Sequence, residues 1–261
     1  MSDKAAGTVV TTRRHAVLAL CWTVFGSCAK KPQNPTERPL RIAAAADVEP
    51  VFSALATLYR RQHGREVVLS FAASGSLAKQ IEHGAPFELF ASASGDHIER
   101  LAKKGRVRTE SIRSYARGRL TIWTAGSGKL PQSLAELATL PNIRVAVANP
   151  EHAPYGQAAV AALQRAGVYD GLARRLVFAE NVRQAQQFAE SGNTELAIIA
   201  RSLAGRSGRF VEIPLSLHPP IVQSLAVITG GDEARASEFA ELLFSPDGRR
   251  LLRDSGFLPP D

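Results

Sequence analysis

From residue 40 onward, short apolar runs alternate with stretches whose apolar residues recur every three or four positions. Residues 40–45 read as a buried strand, and from Pro50 a helix sets Val51, Phe52, Leu55, Leu58 and Tyr59 on one face before stopping at Gly64. The same alternation predicts strands at 67–71 and 87–91 and helices at 76–83 and 96–104, the last ended by Gly105. A second αβ unit follows, with strands at 119–124, 143–148, 176–178 and 196–200 and helices at 155–166 and 182–191. A strand at 224–229 and a helical tail at 233–252, broken at Ser245-Pro246-Asp247-Gly248, complete an α/β pattern without internal repeats. Gly126-Ser127-Gly128-Lys129 lacks the remaining positions of a phosphate loop and reads as a surface turn.

Ahead of this region the pattern changes. Arg13 and Arg14 precede an apolar core at 16–25, too short to span a bilayer, so residues 1–27 are expected to be an export signal. Phe25-Gly26-Ser27-Cys28 resembles a lipoprotein processing box with Phe in place of the usual Leu, which makes Cys28 the expected lipidated first residue. The alternative is a secreted chain cut near Ser27 or Ala29. Residues 28–38, with Lys-Lys-Pro, Asn-Pro and Arg-Pro, read as a polar tether.

Composition narrows the class. Apolar residues make up 45% and charged residues 21%, as in an ordinary globular protein. The only cysteines are Cys21 and Cys28, so the body forms no internal disulfide and depends on core burial. The formal charge of +8 includes a net +2 in residues 1–27 (Lys4, Arg13 and Arg14 against Asp3), leaving +6. That mildly favours anionic ligands. Dispersed Lys and Arg without an aromatic stripe, behind an export signal, argue against nucleic acid.

The candidate chemistry sits in Ser74-Gly75-Ser76, where a strand breaks and a helix begins. Helix starts offer unpaired N–H groups and partial positive charge, hydroxyls add donors, and Gly75 allows close approach of the backbone. Ser76 serves equally well as a helix N-cap. Three other strand ends carry similar turns: Ala45-Ala46-Asp47, the segment 149–156 with Tyr155, and 179–182 with Val182. Ligands of α/β sheets lie outside the carboxyl ends of strands, and two of these turns come from each half of the chain. None contains Lys or Arg, so an anion there would be held by dipoles and hydroxyls. His152, without Cys or carboxylate at ligand spacing, reads as stiffening its turn.

Over residues 40–261 the chain resembles the periplasmic molybdate-binding proteins of ABC importers, within the type II periplasmic binding protein family. The resemblance rests on Ser-Phe-Ala-x-Ser, Leu-Ala-x-Gln-Ile-Glu and Gly-Ala-Pro within 70–86, on the strand at 87–92, on Pro150-Glu151-His152 with Pro154 and Gly156, and on Ala179-Glu180-x-Val182-Arg183. It implies an α/β, two-lobed fold in which each lobe is a mixed sheet flanked by helices, with an oxyanion in the cleft between them. The expected lobes are 39–118 plus 224–261, and 119–223. It further implies that Ser74 matches an oxyanion-binding serine, Val182 a backbone N–H donor, and Tyr155 a turn where some members place a tyrosine hydroxyl.

Two positions depart from the family pattern. Ala200 stands where some members have tyrosine, and Asp47 stands where the first-lobe turn usually has serine. A carboxylate about 4 Å from one anionic charge, at an effective dielectric near 20, is repelled by about 4 kcal/mol, roughly a thousandfold in affinity. The preferred reading turns Asp47 back to cap the helix near Pro50; the other has it accept a proton from a protonated oxyanion. The resemblance therefore implies a monomeric, extracytoplasmic, non-enzymatic subunit that captures molybdate or tungstate for a membrane permease and needs no cofactor. The ligand-binding candidates are Asp47, Ser74, Gly75, Tyr155 and Val182, with Cys28 as the anchor. A binding protein for another oxyanion such as phosphate is the alternative, and a secreted serine hydrolase using Ser74 or Ser76 lacks a Gly-x-Ser-x-Gly elbow and an oriented His.

Overall fold

The computed structural model describes residues 38–205 and 208–260. The expected export signal at 1–27, Cys28 and the tether up to residue 37 lie outside the described residues. In chain order the first lobe builds β1 (Leu40–Ala45), α1 (Glu49–His63), β2 (Val67–Ala72), α2 (Ser74–Glu82), β3 (Leu89–Ser92), α3 (Gly95–Lys103) and β4 (Arg113–Gly118). The chain then enters the second lobe through β5 (Leu120–Thr124), α4 (Leu134–Thr139), β6 (Val145–Ala148), α5 (Pro154–Arg165), α6 (Tyr169–Leu172), β7 (Leu176–Ala179), α7 (Val182–Glu190), β8 (Leu196–Ala200) and β9 (Arg209–Glu212). It returns through β10 (Ile221–Val227), α8 (Glu233–Phe244) and α9 (Pro246–Asp254).

Each lobe is a five-stranded mixed sheet among the described residues, ordered β2-β1-β3-β10-β4 in the first and β7-β6-β8-β5-β9 in the second. In the first, β1 is parallel to β2 and β3 while β10 runs antiparallel to β3 and β4. Both faces of that sheet are covered, which is why β1 is nearly continuously apolar. Ile42 and Ala44 face Phe52, Leu55 and Phe239, whereas Ala43 faces Leu77, Ile81 and Ile98. Helix α1 ends as its sequence requires, with Gly64 at φ 64° in the left-handed region.

The elements that differ from the sequence reading have local causes. β4 and β9, not anticipated, are edge strands carrying Arg113, Arg117, Arg209 and Glu212, so they lack an apolar signature. The strand expected at 224–229 is β10, Ile221–Val227. It starts just after Pro219-Pro220 and buries the polar Gln223 and Ser224, with a bulge between those two residues against β4. Helix α2 begins at Ser74 rather than Ser76, with Ala73 at the N-cap and no side-chain cap, so neither serine is the expected cap.

Candidate functional site

The four turns expected from the sequence converge. Ala45, Ala46 and Asp47 after β1, Ala72 to Ser74 after β2, Ala153 to Tyr155 after the β6 turn, and Asn181 with Val182 after β7 line one cavity of about 10 Å³, the space of about one water. The N-termini of α2, α5 and α7 therefore point at a shared, enclosed volume, which concentrates N–H dipoles there. No Lys or Arg lines it.

Ser74 is 1% exposed, and its Oγ accepts a hydrogen bond from the Ala93 N–H at 3.0 Å. With one lone pair engaged by that donor, its O–H is left to donate into the cavity. At the opposite wall, Asn181 caps α7 through Oδ1, which accepts from the N–H groups of Arg183 and Gln184, both at 3.0 Å. The N–H of Val182, the first residue of the helix, lies outside that cap and has no partner within the helix. Val182 is itself buried, and its side chain fills the second-lobe core.

Gly75 does something other than cradle an anion directly. Its N–H donates to the carbonyl of His152 at 2.9 Å, so the two lobes meet there. A Cβ at this position would lie 2.8 Å from that oxygen, which only glycine avoids. His152 is held in turn, with Nε2 3.1 Å from the carbonyl of Glu180, consistent with a role in stiffening its turn. Two more contacts cross between the lobes: Ser202 Oγ donates to the Asp47 carbonyl at 2.7 Å, and Arg183 pairs with Glu49 at 3.5 Å.

Asp47 does not cap α1. A 3-10 turn, Ala46–Val48, intervenes, so the N-cap is Val48 with no side-chain bond, and Pro50 in the first turn has no N–H to offer. The Asp47 carboxyl instead enters the cleft, 1% exposed. Its Oδ2 accepts from Gln223 Nε2 at 2.8 Å, while Oδ1 is buried without a partner. Burial pushes its pKa up to about 7, against the opposing pull of the nearby Tyr155 hydroxyl, of its own backbone N–H and of Gln223.

Tyr155, the second residue of α5, is 3% exposed and joins this network. Its hydroxyl lies near the Asp47 carboxyl and accepts from Gln223 Nε2 at 3.3 Å, while Tyr115 donates to Gln223 Oε1 at 3.2 Å. Burial, then the nearby Asp47, holds both tyrosine hydroxyls neutral, well above the usual tyrosine range. Gly118 makes room, since a Cβ there would overlap the Tyr155 hydroxyl. Ala200 is fully buried at the end of β8, outside the cavity wall.

Gln223, Tyr115, Gly118 and Ser202 were not singled out in the sequence. A usable signal existed at Gln223: two adjacent polar residues inside an otherwise apolar strand are expected to be hydrogen-bonded in the interior. Among the described residues no cluster of His, Cys, Asp or Glu could hold a metal cation, and Ser74 has no imidazole bonded to its hydroxyl.

Comparison with known proteins agrees with this architecture. A family model described as bacterial extracellular solute-binding protein matches residues 40–258. The chain is 31% identical over 224 residues to the molybdate-binding protein ModA of Azotobacter vinelandii, covering 84% of this chain and 89% of that protein. It is 32% identical over 219 residues to ModA of Rhodobacter capsulatus, covering 83% and 86%. Among solved structures, the periplasmic molybdate-binding protein of Azotobacter vinelandii superimposes with a TM-score of 0.80 at 29% identity, over 85% of this chain and all of that one. With its two mixed sheets, its enclosed cleft and a match from β1 to beyond α9, the chain belongs to the bacterial extracellular solute-binding protein family.

Proposed function

We propose that the protein captures molybdate or tungstate between its lobes outside the cytoplasm and delivers it to the membrane permease of an ABC importer. The observation that carries this reading is the convergence of three helix N-termini on one small cavity without cationic side chains. The converging N–H dipoles suit a compact oxyanion held by directed hydrogen bonds, which the lobes admit by parting slightly, since the cavity as it stands holds about one water. Ser74 Oγ, the Val182 N–H and the Tyr155 hydroxyl are the donors, and Gly75 contributes by letting the lobes meet. The lobes follow the expected division, 39–118 with 224–261 and 119–223, with the second boundary moved to the start of β10 at Ile221; ligand release follows their opening about the two chain segments that connect them. No bond is broken, so the ligand leaves as it arrived. At the N-terminal side, the sequence box ending in Cys28 supports a lipid anchor with residues 28–38 as the tether.

Val182 offers a selective test. Proline is well tolerated at the first helical position, and Asn181 before it is already extended at φ −153° and ψ 174°. Val182→Pro therefore deletes one N–H while keeping the helix. Loss of a hydrogen bond to a charged ligand is expected to weaken molybdate binding about 10- to 100-fold in a calorimetric titration. Unchanged affinity would remove Val182 from the site.

A second reading has one observation in its favour. The partnerless Asp47 Oδ1 could accept a proton from an oxyanion that carries its own, such as hydrogen phosphate. Competition between phosphate and molybdate at neutral pH separates the two.

A further inference from the structure

Asp47 is the group in this cleft whose chemistry the capture of an unprotonated dianion leaves unexplained. It is 1% exposed, it lines the cavity, and one of its oxygens has no partner. An ionised carboxylate there would face the ligand with an acceptor, where Ser74, Tyr155 and the helix starts present donors. A carboxylic acid would present an O–H.

We propose that Asp47 is a specificity-determining residue that is protonated in the loaded protein and donates from Oδ1 to the oxyanion, so that capture by protein whose carboxyl is ionised takes up one proton from solution. The inference rests on the oxyanion reading above and adds the proton to it. The network around the carboxyl has the required polarity. Gln223 Nε2 donates to Oδ2, fixed from behind by Tyr115 on its Oε1, which leaves Oδ1 as the oxygen free to carry the proton. A mobile proton then rests on the oxygen that faces the ligand and not on the one already engaged.

Among the described residues no cation lies beside Asp47 that would neutralise its ionised form instead. Facing it are Tyr155 from α5 and Tyr115 from β4, both neutral, Gln223 from β10, and Ser202 after β8. The formal charges at the starts of α1 and α7, Glu49 and Arg183, pair with each other at 3.5 Å. Burial already places the titration of the carboxyl near neutrality, so protonating it is easy at pH 6 and costs roughly a factor of ten in affinity for each pH unit above about 7. The site would thus load best in mildly acidic surroundings and release more readily in alkaline ones.

The test uses molybdate, which stays a dianion from pH 6 to 9, so any proton taken up belongs to the protein. Calorimetric titration in two buffers of different ionisation heat should show close to one proton bound per molybdate at pH 8.5. Affinity should be level near pH 6 and fall about tenfold per pH unit above 7. Asp47→Asn keeps the shape and supplies a permanent N–H donor, so its affinity should be independent of pH and exceed that of the parent protein at pH 9. Intact binding with no proton uptake by the unaltered protein, or the same pH slope in Asp47→Asn, would overturn the proposal. Absence of molybdate binding by both proteins at pH 6 would instead overturn the oxyanion reading beneath it.

Discussion

Asp47→Asn is expected to separate from the parent protein in stability as pH rises, by about 4 kcal/mol between pH 4 and pH 8 in the absence of ligand. The carboxyl titrates near 3.8 in the unfolded chain and near 7 in the folded one, because folding buries it. Between those values the folded state binds more protons than the unfolded state, so stability falls as pH rises and levels off above about 7. Three pKa units at about 1.4 kcal/mol each give the magnitude. Asparagine does not titrate and shows no such fall. The other titrating groups shift both proteins alike, so the difference between their urea-unfolding curves isolates Asp47. Parallel pH profiles would mean that the carboxyl is not buried in the cleft.

Gly75→Val is expected to reduce molybdate affinity by about a hundredfold while each lobe remains folded. Closure brings the Gly75 N–H to 2.9 Å from the His152 carbonyl, and a Cβ would already lie 2.8 Å from that oxygen. The two γ-carbons of valine have no room between a helix N-terminus and a backbone turn. Forcing the lobes apart loses that hydrogen bond, about 1 kcal/mol, and overpacking adds about 1–3 kcal/mol. Together they reach about two orders of magnitude in dissociation constant. Calorimetric titration with molybdate reads the loss, and an unchanged dissociation constant would contradict it.

The parts of the site that the sequence made legible are those built from contiguous residues. A strand running into Ser74-Gly75, and another running into Asn181-Val182, place helix starts at the carboxyl edge of a sheet whatever the rest of the chain does. The network behind Asp47 was not legible in that way, because Gln223 meets Asp47 across 176 positions and Tyr155 across 68. Reading the strand from Ser224 left Gln223 outside it, whereas the observed strand begins at Ile221 and its bulge lies between Gln223 and Ser224. Asp47 itself was misplaced for a local reason. An acid shortly before a helix usually caps it, but here one 3-10 turn shifts the cap to Val48 and frees the carboxyl to turn inward. Edge strands β4 and β9 escaped notice because their solvent-facing residues carry charges, which masks the apolar alternation that identifies the central strands.

The capture of an oxyanion in the closed cleft is tested most directly by calorimetric titration of the protein with molybdate, tungstate, sulfate and phosphate at pH 6.5. The expected result is saturable one-to-one binding of molybdate and tungstate, with sulfate and phosphate weaker by about a hundredfold or more. Binding of none of the four, or phosphate binding more tightly than molybdate, would contradict it.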